Sequence, residues 1–429
     1  VSDTLATDPA AGAAAAGGAD APPKARRDWE RYFRWMIEAN VVVVTTLAIV
    51  SALIVGAILI IVTQPTVLHA WGQLFSHPGK TVSVTFFTVG DAYRDLFTGS
   101  IVDPFVFGHA VRTGQGWIAA LTPISETLRE TTVLSLAGLA VALGFRTGVF
   151  NIGAQGQVIA GAMAATYVGF EVHAPIGIHV PLCIVAGAAG GALAGFIPGI
   201  LKARTGAHEV IVTIMLNYVI LDLLLYAITT QPFQQPGQQN PISRTVPTTA
   251  RLPHIFGPNL RVNAGIFIAI AVAIAVAWLL RRGTIGFSFR MVGANPNAAR
   301  VAGVDIARAT ILVLTISGAI AGLAGMVQLS GTDYFLSSGY GGNVGFNAIT
   351  VALLGRNRPL GVVLGAMLFS ALDVGGRYMQ GTTTIPLDLT QVIQAIIVFF
   401  VATPGLVNEV YRIRGRNVGQ STLTQGWSA

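Results

Sequence analysis

Three stretches of this chain gather polar side chains that could act on a solute, and none has the make-up of a bond-breaking centre. The first is FRTGVFNIGAQGQ, residues 145–157, where Asn151, Gln155 and Gln157 stand among glycines 148, 153 and 156. A side-chain amide both donates and accepts hydrogen bonds. Such a group either faces a path for a polar solute from a discontinuous helix, or bonds one helix to another at a tight glycine contact. The residues alone leave both readings open. The second stretch is KARTGAHEVIVTIMLN, residues 202–217. His208 beside Glu209 has the parts of a proton relay, but a glutamate in the first turn of a helix meets the positive end of the macrodipole, which is the stronger account. Asn217, deeper in that run, is a bond between helices or a path residue. The third is GYGGNVGFNAITVALLGRNR, residues 339–358, where glycine-rich backbone enters a short apolar segment holding Phe346, Asn347 and Thr350. That is the pattern of a broken or re-entrant helix. It invites pairing with the first stretch as an internal repeat, although no clear identity relates the two.

What is missing narrows the chemistry further. The sequence has no GxxxxGK[ST] phosphate loop, no HExxH and no cysteine/histidine cluster; its one cysteine, Cys183, lies in an apolar run. No metal or catalytic set is expected, and the chain is not expected to be an enzyme. Carboxylates inside apolar runs are scarce, Asp222 and Asp373 being the main ones. An ion-coupled carrier needs such groups, so their scarcity weighs against secondary transport.

The elements that must position these residues follow from composition. Of 429 residues 53% are hydrophobic and 10% charged, against roughly 25% charged in soluble domains. There is too little polar surface to cover a water-soluble globule of this length, so the expected fold is an all-α polytopic membrane protein. The apolar runs are continuous rather than alternating, which excludes a β-barrel. About ten transmembrane helices are expected, at residues 41–62, 130–145, 153–170, 176–201, 209–228, 263–280, 309–329, 346–355, 360–375 and 386–402, with residues 117–128 as a shallow or bent lead-in. Residues 1–40 read as a tail followed by an interfacial helix rich in arginine and aromatics, 41–403 as the membrane domain, and 404–429 as a second tail.

Arginine and lysine are denser near the span ends on one side, which by the positive-inside rule places both termini and residues 281–308 in the cytoplasm. The net charge of +7 is explained by that asymmetry, and no nucleic-acid partner is expected. Residues 281–308, RRGTIGFSFRMVGANPNAARVAGVDIAR, form a polar island with five arginines and one carboxylate, Asp305, between two apolar runs. Its pattern is too ordered for a plain tether.

Five segments together, FRTGVFNIGAQGQVIAGAMAA, GFIPGILKARTGAHEVIVTIMLNYV, GFSFRMVGANPNAARVAGVDI, ISGAIAGLAGMVQLSG and GFNAITVALLGRNRPLGVVLGAMLF, resemble the permease subunits of bacterial ATP-binding-cassette importers. The branch is that of simple-sugar and nucleoside permeases, related to the ribose and branched-chain amino acid permeases. The HEVIVTIMLNYV stretch resembles the longer permease of nucleoside importers that use basic-membrane-protein-type binding lipoproteins. The resemblance covers about residues 122–406 and implies the importer permease fold in the cytoplasmic (inner) membrane. It implies a second permease subunit, a cytoplasmic ATPase that holds ATP and Mg, and an extracytoplasmic substrate-binding lipoprotein. It assigns Gly293, Ala294, Asn295, Pro296, Ala299 and Gly303 to ATPase coupling, and leaves Asn151, Gln155, Gln157, Asn217, Phe346 and Asn347 as candidates for the substrate path. This chain has Gln155 where the family usually has glutamate, and residues 1–38 lie outside the resemblance. The implied cargo is a nucleoside, with a ribose-like simple sugar as the alternative; a secondary carrier acting alone is the reading from a different class.

Overall fold

The computed structural model describes residues 41–383 and 385–402. The expected tails at 1–40 and 404–429 lie outside the described residues. The helices are α1 (Val41–Thr63), α2 (Pro65–Gly72), α3 (Pro78–Ser100), α4 (Pro104–Thr113), α5 (Trp117–Arg146), α6 (Ala154–Glu171), α7 (Ile176–Thr205), α8 (Glu209–Ile228), α9 (Gly265–Arg282), α10 (Thr284–Ala294), α11 (Pro296–Val301), α12 (Ile306–Gln328), α13 (Val344–Leu354), α14 (Pro359–Thr382) and α15 (Leu387–Ala402). Among the described residues only isolated β-bridges accompany them. The chain is an all-α membrane protein. Each of the ten expected apolar segments falls on a helix. Seven of these helices, among the described residues, are long and apolar enough to cross a membrane: α1, α5, α7, α8, α9, α12 and α14.

One expectation needs correction. Residues 117–128 are no bent lead-in; they belong to one continuous helix, α5, with Pro123 inside it. Arg129 and Glu130 do not interrupt that helix because their charges are met: Arg129 Nε lies 2.9 Å from Glu126 Oε2, and Arg377 of α14 pairs with Glu130. A more polar stretch, residues 64–116, follows α1. It folds into α2, α3 and α4, each with proline in its first turn, where the missing N–H costs nothing. Asp103 caps α4 by accepting from Phe105 N at 2.8 Å.

From Thr131 to Gly144, α5 is buried on every face, the mark of a central helix. Around it pack α12, α13 and α14, and α6 and α7 close against α12. The α7–α12 contact is built from small residues. A Cβ at Gly191 would stand 2.2 Å from the Gly318 carbonyl oxygen, and one at Gly195 would stand 2.1 Å from that of Leu314. Lipid tails are as apolar as leucine, so helix association in a membrane rests on such close backbone packing.

The bundle has two ends. Arg146, the α10–α11 island and the α13–α14 turn mark one, here called the island end. The far end is covered by residues 229–264, which bind the turn after α12: Val246 N donates to Tyr334 O at 2.7 Å and Leu252 N to Ser330 O at 2.8 Å. There α12 continues as a π-turn over Leu329–Asp333 and ends at Tyr334 with φ 61°.

Candidate functional site

Two helices of the bundle begin inside it rather than at its surface. After α5 ends at Arg146, the backbone of residues 147–153 turns back without forming a helix, and α6 starts only at Ala154. In α12, Ser317 lies eleven residues beyond Ile306, roughly 16 Å along the helix at about 1.5 Å per residue. Ser317 Oγ accepts from Asn151 Nδ2 at 2.7 Å. Ser317 also donates to the Ala140 carbonyl at 2.6 Å, so the break lies inside the bundle rather than at its end. Likewise α13 has only 11 residues and starts at depth, following the glycine-rich turn at 339–343.

A helix start carries N–H groups with no partner inside the helix, and hydrocarbon offers no water to satisfy them. Four of the residues singled out in the sequence meet that need. Asn151 Oδ1 accepts from Gly153 N at 3.1 Å, and its Nδ2 donates to Gln157 Oε1 at 2.8 Å. Asn217 of α8 accepts from Gly156 N at 2.8 Å and donates to the Ile152 carbonyl at 2.9 Å. Gln155 reaches the other break: its Oε1 accepts from Gly345 N at 2.7 Å and its Nε2 donates to the Gly342 carbonyl at 2.8 Å. The two broken helices touch at that point, since a Cβ on Gly345 would lie 2.2 Å from Gln155 N. All four amides are buried, Asn151 completely. They form one network that braces both breaks.

Phe346 and Asn347 sit differently. Phe346 is exposed on α13. Asn347 lines a cavity of about 190 Å3 between α13, α14 and α15, opposite Asp373 and Gln391. The second feature of that region was not read from the sequence. Asp373 pairs with Arg377 at 2.6 Å, Arg377 also pairs with Glu130, and Glu126 pairs with Arg129 and, at 3.0 Å, with Arg261. The i, i+4 spacing of Asp373 and Arg377 was visible; their meeting with α5 was not. Glu209, by contrast, starts α8 as expected, and Lys202 Nζ lies 2.5 Å from it.

The island folds into two short helices that meet at Asn295. That residue is extended (φ −160°, ψ 107°), and its side chain caps α11 by accepting from Asn297 N at 2.9 Å and Ala298 N at 3.1 Å. Pro296 occupies the first turn, Ala299 is buried, and Gly303 closes the segment at φ 82°. Ala294 to Ala298 are exposed, and Val301 is 91% exposed. Gly293 faces inward: a Cβ there would stand 2.3 Å from the Arg146 carbonyl oxygen. Arg146 in turn donates from Nε to the Asn357 carbonyl at 2.9 Å. Arg356 and Asn357 hold the α13–α14 turn at φ 51° and 55°. Burial, and then the charge of Arg358, lower the Arg356 pKa from its ordinary value. Arg146 is thus a node. It joins the island to the elbow before α6 and to the turn after α13.

Comparison with known proteins supplies the remaining context. A family model described as branched-chain amino acid transport system / permease component matches residues 124–402. The chain is 38% identical over 314 residues to the guanosine ABC transporter permease protein NupP of Bacillus subtilis (strain 168), covering 72% of this chain and 90% of that protein. It is 34% identical over 311 residues to the nucleoside ABC transporter permease protein NupB of Lactococcus lactis subsp. cremoris, covering 70% of this chain and 85% of that one. It is 33% identical over 289 residues to the glucose ABC transporter permease protein TsgB13 of Haloferax volcanii, covering 65% and 76%. No solved structure matches the chain.

Proposed function

The chain belongs to the family of branched-chain amino acid transport system permease components, and from that premise we propose that it is the permease of an ATP-driven importer whose cargo is a nucleoside. The observation that carries the cargo is the 38% identity to a guanosine permease across 90% of that protein. The glucose permease relative at 33% identity favours a second reading, a simple sugar. In either case the chain is a transport component, with ATP and Mg held by a separate ATPase and selectivity shared with an extracytoplasmic binding protein.

The island end faces the cytoplasm in this reading, with both termini on that side of the inner membrane, because the arginines crowd there. The exposed residues Ala294, Asn295, Pro296 and Gly303 are the surface that meets the ATPase. Closure of the ATPase pushes the α10–α11 unit. Gly293 passes that push to the Arg146 carbonyl, and Arg146 passes it to both broken helices. Asn151, Gln155, Gln157 and Asn217 hold the breaks in register while the path opens to one side and then the other. Phe346 and Asn347 are the candidates that cargo meets directly.

A second permease subunit completes the path. One stripe of α8 carries Met215, Tyr218, Asp222 and Tyr226, all exposed in this chain. An ionised carboxylate at that depth in lipid costs about 2.5–3.5 kcal/mol on insertion scales, so protein rather than lipid covers that face. Competition of unlabelled nucleosides and sugars against labelled guanosine in whole-cell uptake tests the cargo. Inhibition by ribose or glucose but not by nucleosides overturns it.

A further inference from the structure

Polar side chains inside this bundle fall into two classes. The Asn151, Gln155, Gln157 and Asn217 amides are engaged on both sides by protein. Those around the cavity between α13, α14 and α15 are engaged only in part. It is lined by Asn343, Asn347, Thr350, Asp373, Gln391 and Gln394, with the Phe369 ring as an apolar wall. The Gln394 amide donates to the Phe369 carbonyl at 3.4 Å. The side chains of Asn343, Asn347, Thr350 and Gln391 have no hydrogen-bond partner among the described residues. Along α14, Asp373 lies fourteen residues beyond Pro359, roughly 21 Å at about 1.5 Å per residue, within the hydrocarbon layer. Asn343 and Gln391 are exposed and Asn347 and Thr350 half-buried, so these groups are open to a polar ligand or water.

The charged groups beside the cavity are paired with one another. Glu126, Glu130 and Asp373 stand against Arg129, Arg261 and Arg377 in one chain of ion pairs linking α5, α14 and the segment before α9. Each of these arginines is already engaged by a carboxyl group, so none is free to take a phosphate, and the pairing holds Asp373 fixed at the cavity surface. Amides that both donate and accept, an apolar ring and one fixed carboxylate match an uncharged solute with a ring and neighbouring hydroxyls. At about 190 Å3 the cavity is below the roughly 300–1,000 Å3 of a complete small-molecule site, so it is one wall of such a site.

We propose that this cavity is the intramembrane cargo site, in which Asp373 accepts from ribose hydroxyls while Asn347 and Gln391 bind the rest of an unphosphorylated nucleoside. The proposal rests on the nucleoside reading and adds to it the residues and the exclusion of nucleotides. The test is ATP-driven uptake of labelled guanosine by the complete transporter in proteoliposomes, challenged with 2′,3′-dideoxyguanosine and guanosine monophosphate. Wild type should prefer guanosine to the dideoxy compound and ignore the monophosphate. Asp373→Asn should raise the apparent KM for guanosine about tenfold, the scale of one hydrogen bond, and flatten that preference. Asn347→Ala and Gln391→Ala touch no ion pair; each should raise the apparent KM and leave the hydroxyl preference intact. Guanosine uptake with unchanged KM and preference in all three variants overturns the cavity assignment alone. A wild-type complex that imports ribose and not guanosine overturns the nucleoside reading, and with it the ligand proposed here.

Discussion

Asn217 shows what a single amide does in this molecule. It serves the Gly156 N–H and the Ile152 carbonyl, two backbone groups at a helix break that water cannot reach. Asn217→Ala leaves both unpaired, at about 1–3 kcal/mol for each buried group. The thermal midpoint of the purified protein should fall clearly, and a midpoint equal to wild type would refute the bracing role. Gln155 offers a finer comparison. A protonated glutamate can donate to the Gly342 carbonyl and accept from Gly345 N, as the glutamine does. Stability should therefore rank wild type at or above Gln155→Glu, and both above Gln155→Ala; an alanine variant as stable as the glutamate one would contradict this geometry. The sequence pointed to these residues because amides and glycines stood together in apolar runs. It left path and packing undecided, since one-dimensional spacing does not say which groups an amide faces.

At the scale of elements, Gly293 and Arg146 join the island to the two broken helices. Gly293 has no room for a side chain against the Arg146 carbonyl. Gly293→Val should keep the bundle assembled while ATP hydrolysis by the partner no longer drives uptake; uptake at the wild-type rate would remove Gly293 from the coupling route. Losing the Asn295 cap costs about 1 kcal/mol, confined to α11. Asn295→Ala with Pro296→Ala should abolish uptake and ATPase stimulation at normal expression, checked by the two rates and by immunoblot. The elements themselves were largely legible, because long apolar runs have few alternatives in a membrane. Two were not. Residues 117–128 looked separate from the rest of α5 because Arg129 and Glu130 read as an interruption, and only the fold brings Arg377 to Glu130. The helices α2 to α4 were not read as spans because their apolar faces are short and broken by prolines at 65, 78 and 104.

At the scale of the whole molecule, two exposed faces should behave differently. Ile270, Ile274 and Trp278 of α9 present an uninterrupted apolar surface, whereas the α8 stripe carries Asp222. In the assembled transporter a fluorophore on Ile274→Cys should be quenched by brominated lipid, and one on Met215→Cys should be shielded. Equal quenching would place lipid against both faces. Membrane class came from composition and the expected cytoplasmic place of the island from charge, while the proposed cargo rests on relatives, since side-chain amides serve many polar solutes. The central claim is that this chain moves a nucleoside with energy delivered from an ATPase through the island. Guanosine uptake into proteoliposomes tests it, comparing this chain alone with the chain joined by its second permease, its ATPase and its binding protein. The account predicts uptake only in the complete assembly, only with hydrolysable ATP, and lost in Gly293→Val. Uptake by this chain alone, driven by an ion gradient without ATP, would contradict it.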